Sequence, residues 1–240
     1  MQPAMLPLSD WGEAKESVIN PRVKQRNGSG DELVTMAAHA CLVAKDAATN
    51  LEELLAGSSR LAALTLQQCE RELDEMERTV HQKLPRAITR VSEDKARELL
   101  VCSSFIGNLE RIGDLLLWVG QRLSVPSSRL SGGNRQTMQE MVSTLVTMLE
   151  QAHGGFVDRH PELAQSVLRL DANLDRMRTE AFHRNLLGKS NNQVEGLVEG
   201  LMMVQAIERA GDHCTNLAEE LVYLIEHRSI RHTRKKMLES

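Results

Sequence analysis

The sequence predicts an all-α fold of six helices, arranged as two tandem, pseudo-symmetric up-down three-helix bundles. Three observations lead there. The chain is 41% hydrophobic but only 2% aromatic, so its core must be built from Leu, Ala, Val and Met, which suit helix faces better than sheets. Apolar residues recur at spacings of three and four over long stretches, the period of a helix with one buried face. Finally, the pattern acidic-x-x-x-Asp is written four times in matched register, as Glu70/Asp74, Glu110/Asp114, Asp171/Asp175 and Glu208/Asp212. The third copy follows the first by 101 residues and the fourth follows the second by 98. Neighbouring residues match too: Leu-Glu-Arg-Ile-Gly-Asp (109–114) against Ile-Glu-Arg-Ala-Gly-Asp (207–212), and Leu73/Met76 against Leu174/Met177.

Each element has a local cause. Residues 1–30 contain Pro3, Pro7 and Pro21 and end in Asn-Gly-Ser-Gly, the composition of a flexible arm, with residues 11–18 its one candidate helix. A first helix begins at Asp31 and carries the stripe Leu33, Met36, Ala37, Ala40, Ala44, Ala47, Leu51, Leu54 and Leu55 up to Gly57. A second is expected over 60–84, halted by Pro85. Ser92 is a plausible N-cap for a third, with Glu93 and Asp94 in its first turn, running to Leu123. Residues 124–133 form a linker rich in Ser and Gly with Pro126. A fourth helix is expected over 134–153, broken by Gly154-Gly155. A fifth opens on Pro161, well suited to a first helical position, and lasts to Leu187. After the turn 188–192 a sixth reaches about His227. Residues 31–123 and 134–228 are thus the two three-helix units, and 229–240 form a basic tail, most simply a solvated end. Short connections between long consecutive helices make them antiparallel neighbours.

Composition excludes several function classes. A net charge of −4 and a pI near 6.1 argue against nucleic acid as a partner. No apolar run approaches the ~18 residues of a membrane span, and the N-terminus lacks the unbroken apolar stretch of a secretory signal. Cys41, Cys69, Cys102 and Cys214 are widely scattered with no CxxC, which favours buried free thiols in a reducing cytoplasm over disulfides.

The carboxylates carry the functional signal. Acidic side chains four apart lie about 40° apart on one helix face, one turn above another. They repel by a few tenths of a kcal/mol unless a cation intervenes. In an antiparallel hairpin, residues equidistant from the turn meet at one height. The first two motifs are centred on 72 and 112, whose midpoint is Ser92; the second two are centred on 173 and 210, whose midpoint falls in the turn 188–192. Each half therefore sets two acidic pairs side by side. Oxygen-rich clusters of this kind suit hard cations such as Mg, Mn, Ca or iron. The plainer reading is a solvated acidic face with Arg71, Arg111 and Arg209 as partners, since each follows a motif glutamate.

The stretch Ile207-Glu-Arg-Ala-Gly-Asp-His-Cys-Thr-Asn-Leu-Ala-Glu219 resembles the Leu-Glu-Arg-Ile-Gly-Asp-His-Ala-x-Asn-Ile-Ala-Glu signature of PhoU proteins. Residues 108–116 repeat its front part, and the duplicated layout covers about 31–228. The resemblance implies a non-enzymatic cytoplasmic regulator of phosphate uptake and phosphate-starvation signalling, acting with a phosphate ABC transporter and its sensor kinase. It implies no nucleic-acid partner, and membrane contact only through those partners. It further implies multinuclear metal cations (iron, zinc, magnesium or manganese) on the acidic pairs, which here are Glu70, Asp74, Glu110, Asp114, Asp171, Asp175, Glu208 and Asp212. The first unit departs from the signature, having Leu115 and Trp118 where the second has His213 and Asn216.

His213 lies about 100° round the helix from Asp212; it would add a nitrogen ligand or sit in a supporting or surface position. Asn216 either hydrogen-bonds a ligand carboxylate or makes a helix–helix contact. Beside these two residues the second site is expected to bind metal the more tightly. The run Leu115-Leu-Leu-Trp118 covers every face of one helical turn, so part of it must be exposed or covered by another surface. It is expected to take part in self-association or partner docking, a homo-oligomer, a dimer, being the more economical choice. Two other readings stand beside this one. A metal-free helical adaptor would leave the acidic faces solvated. A ferritin-like di-metal oxidoreductase would use Glu150/His153 and Glu180/His183, which have its Glu-x-x-His spacing but fall on consecutive helices. No nucleophile–base pair, Gly-rich phosphate loop or Ser/His/Asp arrangement stands out, so no enzymatic activity is expected.

Overall fold

The structure is a computed structural model that describes residues 29–57, 59–123, 132–187 and 194–227. The arm, the linker, the 188–192 turn and the basic tail expected from the sequence lie almost wholly outside them. Among the described residues there are six α-helices and no strand: α1 (Ser29–Ala56), α2 (Arg60–Ala87), α3 (Glu93–Leu123), α4 (Gly132–Asp158), α5 (Pro161–Leu187) and α6 (Val194–Glu226). None is long and apolar enough to cross a membrane.

The helix starts follow from capping. The Ser59 hydroxyl accepts from the Ala62 N–H at the head of α2. Ser92 accepts from the Lys95 N–H at 3.3 Å, so the residue midway between the first two acidic motifs does cap α3. Two expected stops do not hold. Pro85 lies inside the last turn of α2, which continues to Ala87 and a 3-10 turn over Ile88–Arg90. Only one ladder bond is lost that near the end, a tolerable cost. Nor do Gly154 and Gly155 break α4. A side chain at 155 would meet Leu221 of α6 at 3.0 Å and Leu163 of α5 at 3.5 Å. The pair gives α4 room for its neighbours, and the helix ends three residues later at Asp158, followed by Arg159 in the left-handed conformation (φ 57°).

The helices α1, α2 and α3 pack on one another, as do α4, α5 and α6; the halves meet through α1 on α4 and α3 on α6. Four inner helices are thus flanked by α2 and α5. Pairings of Arg97 with His227, Ser104 with Glu220 and Asn108 with Asn216 show that α3 and α6 run antiparallel. One continuous core of Leu, Ala, Val and Met fills both halves. Its two largest fully buried rings, Phe105 of α3 and Phe156 of α4, pack across the seam with centroids 4.9 Å apart. All four cysteines are free and buried, and burial pushes the Cys41 and Cys102 thiols up to about 12.

Candidate metal centre

Two glycines set the height of the acidic clusters. Gly113, just before Asp114, faces α2: a Cβ there would lie 2.7 Å from a Leu73 methyl and 3.7 Å from the Glu70 Cα. Gly211, just before Asp212, does the same toward α5, with a Leu174 methyl at 2.3 Å and Asp171 Oδ1 at 3.7 Å. The missing side chains let each outer helix approach at the level of its carboxylates. Glu70/Asp74 of α2 therefore neighbour Glu110/Asp114 of α3, and Asp171/Asp175 of α5 neighbour Glu208/Asp212 of α6.

In the first cluster Glu110 is 9% exposed. Its Oε2 is buried with no hydrogen-bond partner; the nearest cation is Arg111, with Nε 3.4 Å away. Burial first, then the charge of Asp114, pushes its carboxyl up to about 7. Glu70 is shifted upward for the same two reasons. Arg111 also lies 3.6 Å from Asp114, and Arg78 pairs with Asp74 one turn before it on α2.

The second cluster is closed differently. Asp171 and Glu208 are buried at 2% and 6% exposure. Gln205 donates to Glu208 Oε2 at 2.5 Å. Arg178 reaches over from α5, its Nε 3.2 Å from Glu208 Oε1 and its Nη2 4.0 Å from Asp175 Oδ1. Burial raises both Glu208 and Asp212, helped by the neighbouring carboxylates.

The donor set is all oxygen and level. Burial first, then the neighbouring carboxylates, push Glu70, Glu110, Glu208 and Asp212 toward protonation, and Glu110 Oε2 is buried with no hydrogen-bond partner. These properties fit a hard cation. Among the described residues no three His, Cys, Asp or Glu side chains already converge on a common point. Like charges hold one another apart, and the arginines draw individual carboxylates aside.

A search against family models finds the PhoU domain twice, over residues 33–122 and 138–221. The chain belongs to the PhoU family. Both matched stretches contain two of the acidic motifs. A phosphate-specific transport system accessory protein PhoU homolog from Pseudomonas aeruginosa is 23% identical over 91% of this chain and 92% of its own. Another, from Clostridium acetobutylicum, is 24% identical over 66% and 74%. The crystal structure of a phosphate transport system regulatory protein PhoU from Streptococcus pneumoniae shares the fold, with a TM-score of 0.74 at 17% identity over 84% of this chain and 97% of that one.

Not every expected residue joins this PhoU site. His213 and Asn216 turn from the carboxylates to Asn108 of α3: Asn108 Oδ1 accepts from Asn216 Nδ2 at 3.1 Å and lies 2.9 Å from His213 Nδ1. Asn216 thus makes the helix–helix contact, and His213 is a seam residue kept neutral by burial and by Arg209 and Arg111. The ground for a tighter second site disappears with them. Of the apolar run, Leu116 is buried, while Leu115, Leu117 and Trp118 line an open groove of about 780 Å³ with Phe182, Val198 and Met202. The guanidinium of Arg122 lies 3.4 Å over the Trp118 ring. The Glu-x-x-His residues stay apart: Glu180 pairs with Arg176 at 2.8 Å and Glu150 faces Lys45 at 3.9 Å.

Sequence reasoning missed Arg78, Arg178 and Asn108. For the arginines a signal existed, since each follows its motif aspartate by one turn (Asp74/Arg78, Asp175/Arg178). Of the arginines it named, Arg111 pairs with Glu110 and Asp114. Arg71, beside a groove with Gln68 and Glu72, and Arg209, beside the apolar groove, act on Glu70 and Asp212 through their charge.

Proposed function

We propose that this chain is a non-enzymatic, metal-binding regulator of phosphate transport and phosphate-starvation signalling. It works in the cytoplasm with a phosphate ABC transporter and its sensor kinase, reaching the membrane only through them. Membership of the PhoU family and the names of its relatives support the phosphate role. The buried Glu110 oxygen with no hydrogen-bond partner, amid three further carboxylates, carries the metal reading. Glu70, Asp74, Glu110 and Asp114 would hold one group of cations, and Asp171, Asp175, Glu208 and Asp212 another. Iron, manganese, magnesium and zinc all suit such sites in some measure, the first three best. Bound metal would offset the mutual repulsion of the carboxylates and fix the spacing of each outer helix on its inner neighbour.

Metal analysis of protein purified from its native host tests this. A variant with alanine at Asp74, Asp114, Asp175 and Asp212 should lose its metal, and equal content in the two would sink the reading. It would favour instead the metal-free adaptor, which the ion pairs of Arg78, Arg111 and Arg178 support.

The dimer belongs to the same proposal. An apolar groove on a free monomer is a liability that a second copy removes. Trp118→Glu should halve the mass measured by light scattering while leaving helical content unchanged. An unaltered mass would take the groove out of self-association.

A further inference from the structure

The two acidic clusters match in carboxylates but differ in their internal cations. In the first, every ion pair stays on one helix: Arg78 with Asp74 and Glu75 on α2, Arg111 with Glu110 and Asp114 on α3. In the second, Arg178 crosses from α5 to Glu208 of α6 while keeping within 4.0 Å of Asp175. It stands between the helices, where a cation shared by the two acidic pairs would have to stand.

We propose that Arg178 is an internal counter-cation that a metal ion must displace, so that the first cluster loads before the second. This rests on the metal-binding reading. A guanidinium stays protonated at every physiological pH, so it cannot yield the place by titrating; it must move. Its seat permits that. The Nε is buried yet has no hydrogen-bond partner, although Glu208 Oε1 is only 3.2 Å away. Charge rather than well-aligned hydrogen bonding holds it there. The side chain is already one-third exposed, and a long arginine stem can carry its head outward while the stem stays packed. Loading the second cluster would then put a permanent positive charge on the outer face of α5, a change of surface that a partner can read.

The test uses the full chain, stripped with chelator and titrated with manganese chloride, free Mn²⁺ being counted by electron paramagnetic resonance. Two affinity classes are expected. Asp114→Ala should remove the tighter and Asp212→Ala the weaker. Arg178→Met should tighten the weaker class at least about tenfold, equivalent to about 1.4 kcal/mol, and leave the tighter one alone. Arg178→Lys, which keeps a charge, should hold the weaker class near its wild-type affinity. If Arg178→Met melts early, Arg178→Gln gives Glu208 a polar neighbour without the charge and should behave alike. A weaker class unmoved by both neutral variants overturns the proposal, as does loss of the tighter class in Asp212→Ala. Binding of no Mn²⁺ by wild type and both neutral variants overturns the metal reading and this ordering together.

Discussion

Gly211→Val is expected to destabilise the protein by about 3 kcal/mol, the upper part of the range for overpacking a buried site. Even a Cβ at 211 would lie 2.3 Å from a Leu174 methyl, and Leu174 is fully buried, so the methyl cannot swing into solvent. The outer helix α5 must move away instead, taking Asp171 and Asp175 with it. Leu174→Ala alone leaves a cavity and costs about 2–5 kcal/mol. In the double variant the valine fills part of that cavity, so the combined loss should fall short of the sum by at least ~1 kcal/mol. Urea unfolding of the four proteins gives the coupling, and strict additivity would mean that the two residues do not share this space.

The second large effect is one of pH, in chelated protein. The Glu110 carboxyl is raised from 4.5 to about 7, chiefly by burial and then by Asp114. The folded state therefore holds this proton more tightly than the unfolded chain does. Its contribution is fully present below about pH 4.5 and is lost as pH rises through 7. A shift of that size is worth at most about 3 kcal/mol, and water at the open side of the cluster reduces this to roughly 1–2 kcal/mol. Metal-free wild type should lose that much more stability between pH 5 and pH 8 than Glu110→Gln, whose remaining slope comes from the other raised carboxyls, Glu70, Glu208 and Asp212. A wild-type profile no steeper than the variant's would show that the carboxylate is already solvated.

Most of the fold was legible because long helices announce themselves through their stripes, and short turns leave them no choice but to run antiparallel. Ser92 was found twice over, as a cap and as a midpoint. Gly154-Gly155 misled because glycine weakens a helix and also lets helices touch, and only the presence of Leu163 and Leu221 decides between these. For the site, spacing along one helix gave the acidic residues but not which neighbour each polar side chain meets. His213 and Asn216 lie close in sequence to Asp212, yet α3 offers them Asn108. Arg178 crossed between helices for the same reason: a helical wheel has no account of the helix beside it.

The shared inner layer has a consequence for how the chain came to be long. Either half alone would leave one flank of α1 and α3, or of α4 and α6, bare to water. A free three-helix unit would have to cover that flank with a twin, turned about the axis on which α3 and α6 now cross. Joining the twins into one polypeptide makes their encounter independent of concentration. It also releases the two copies from having to stay identical, which is how one end of the α3–α6 crossing can be an asparagine–histidine lock and the other an open apolar groove.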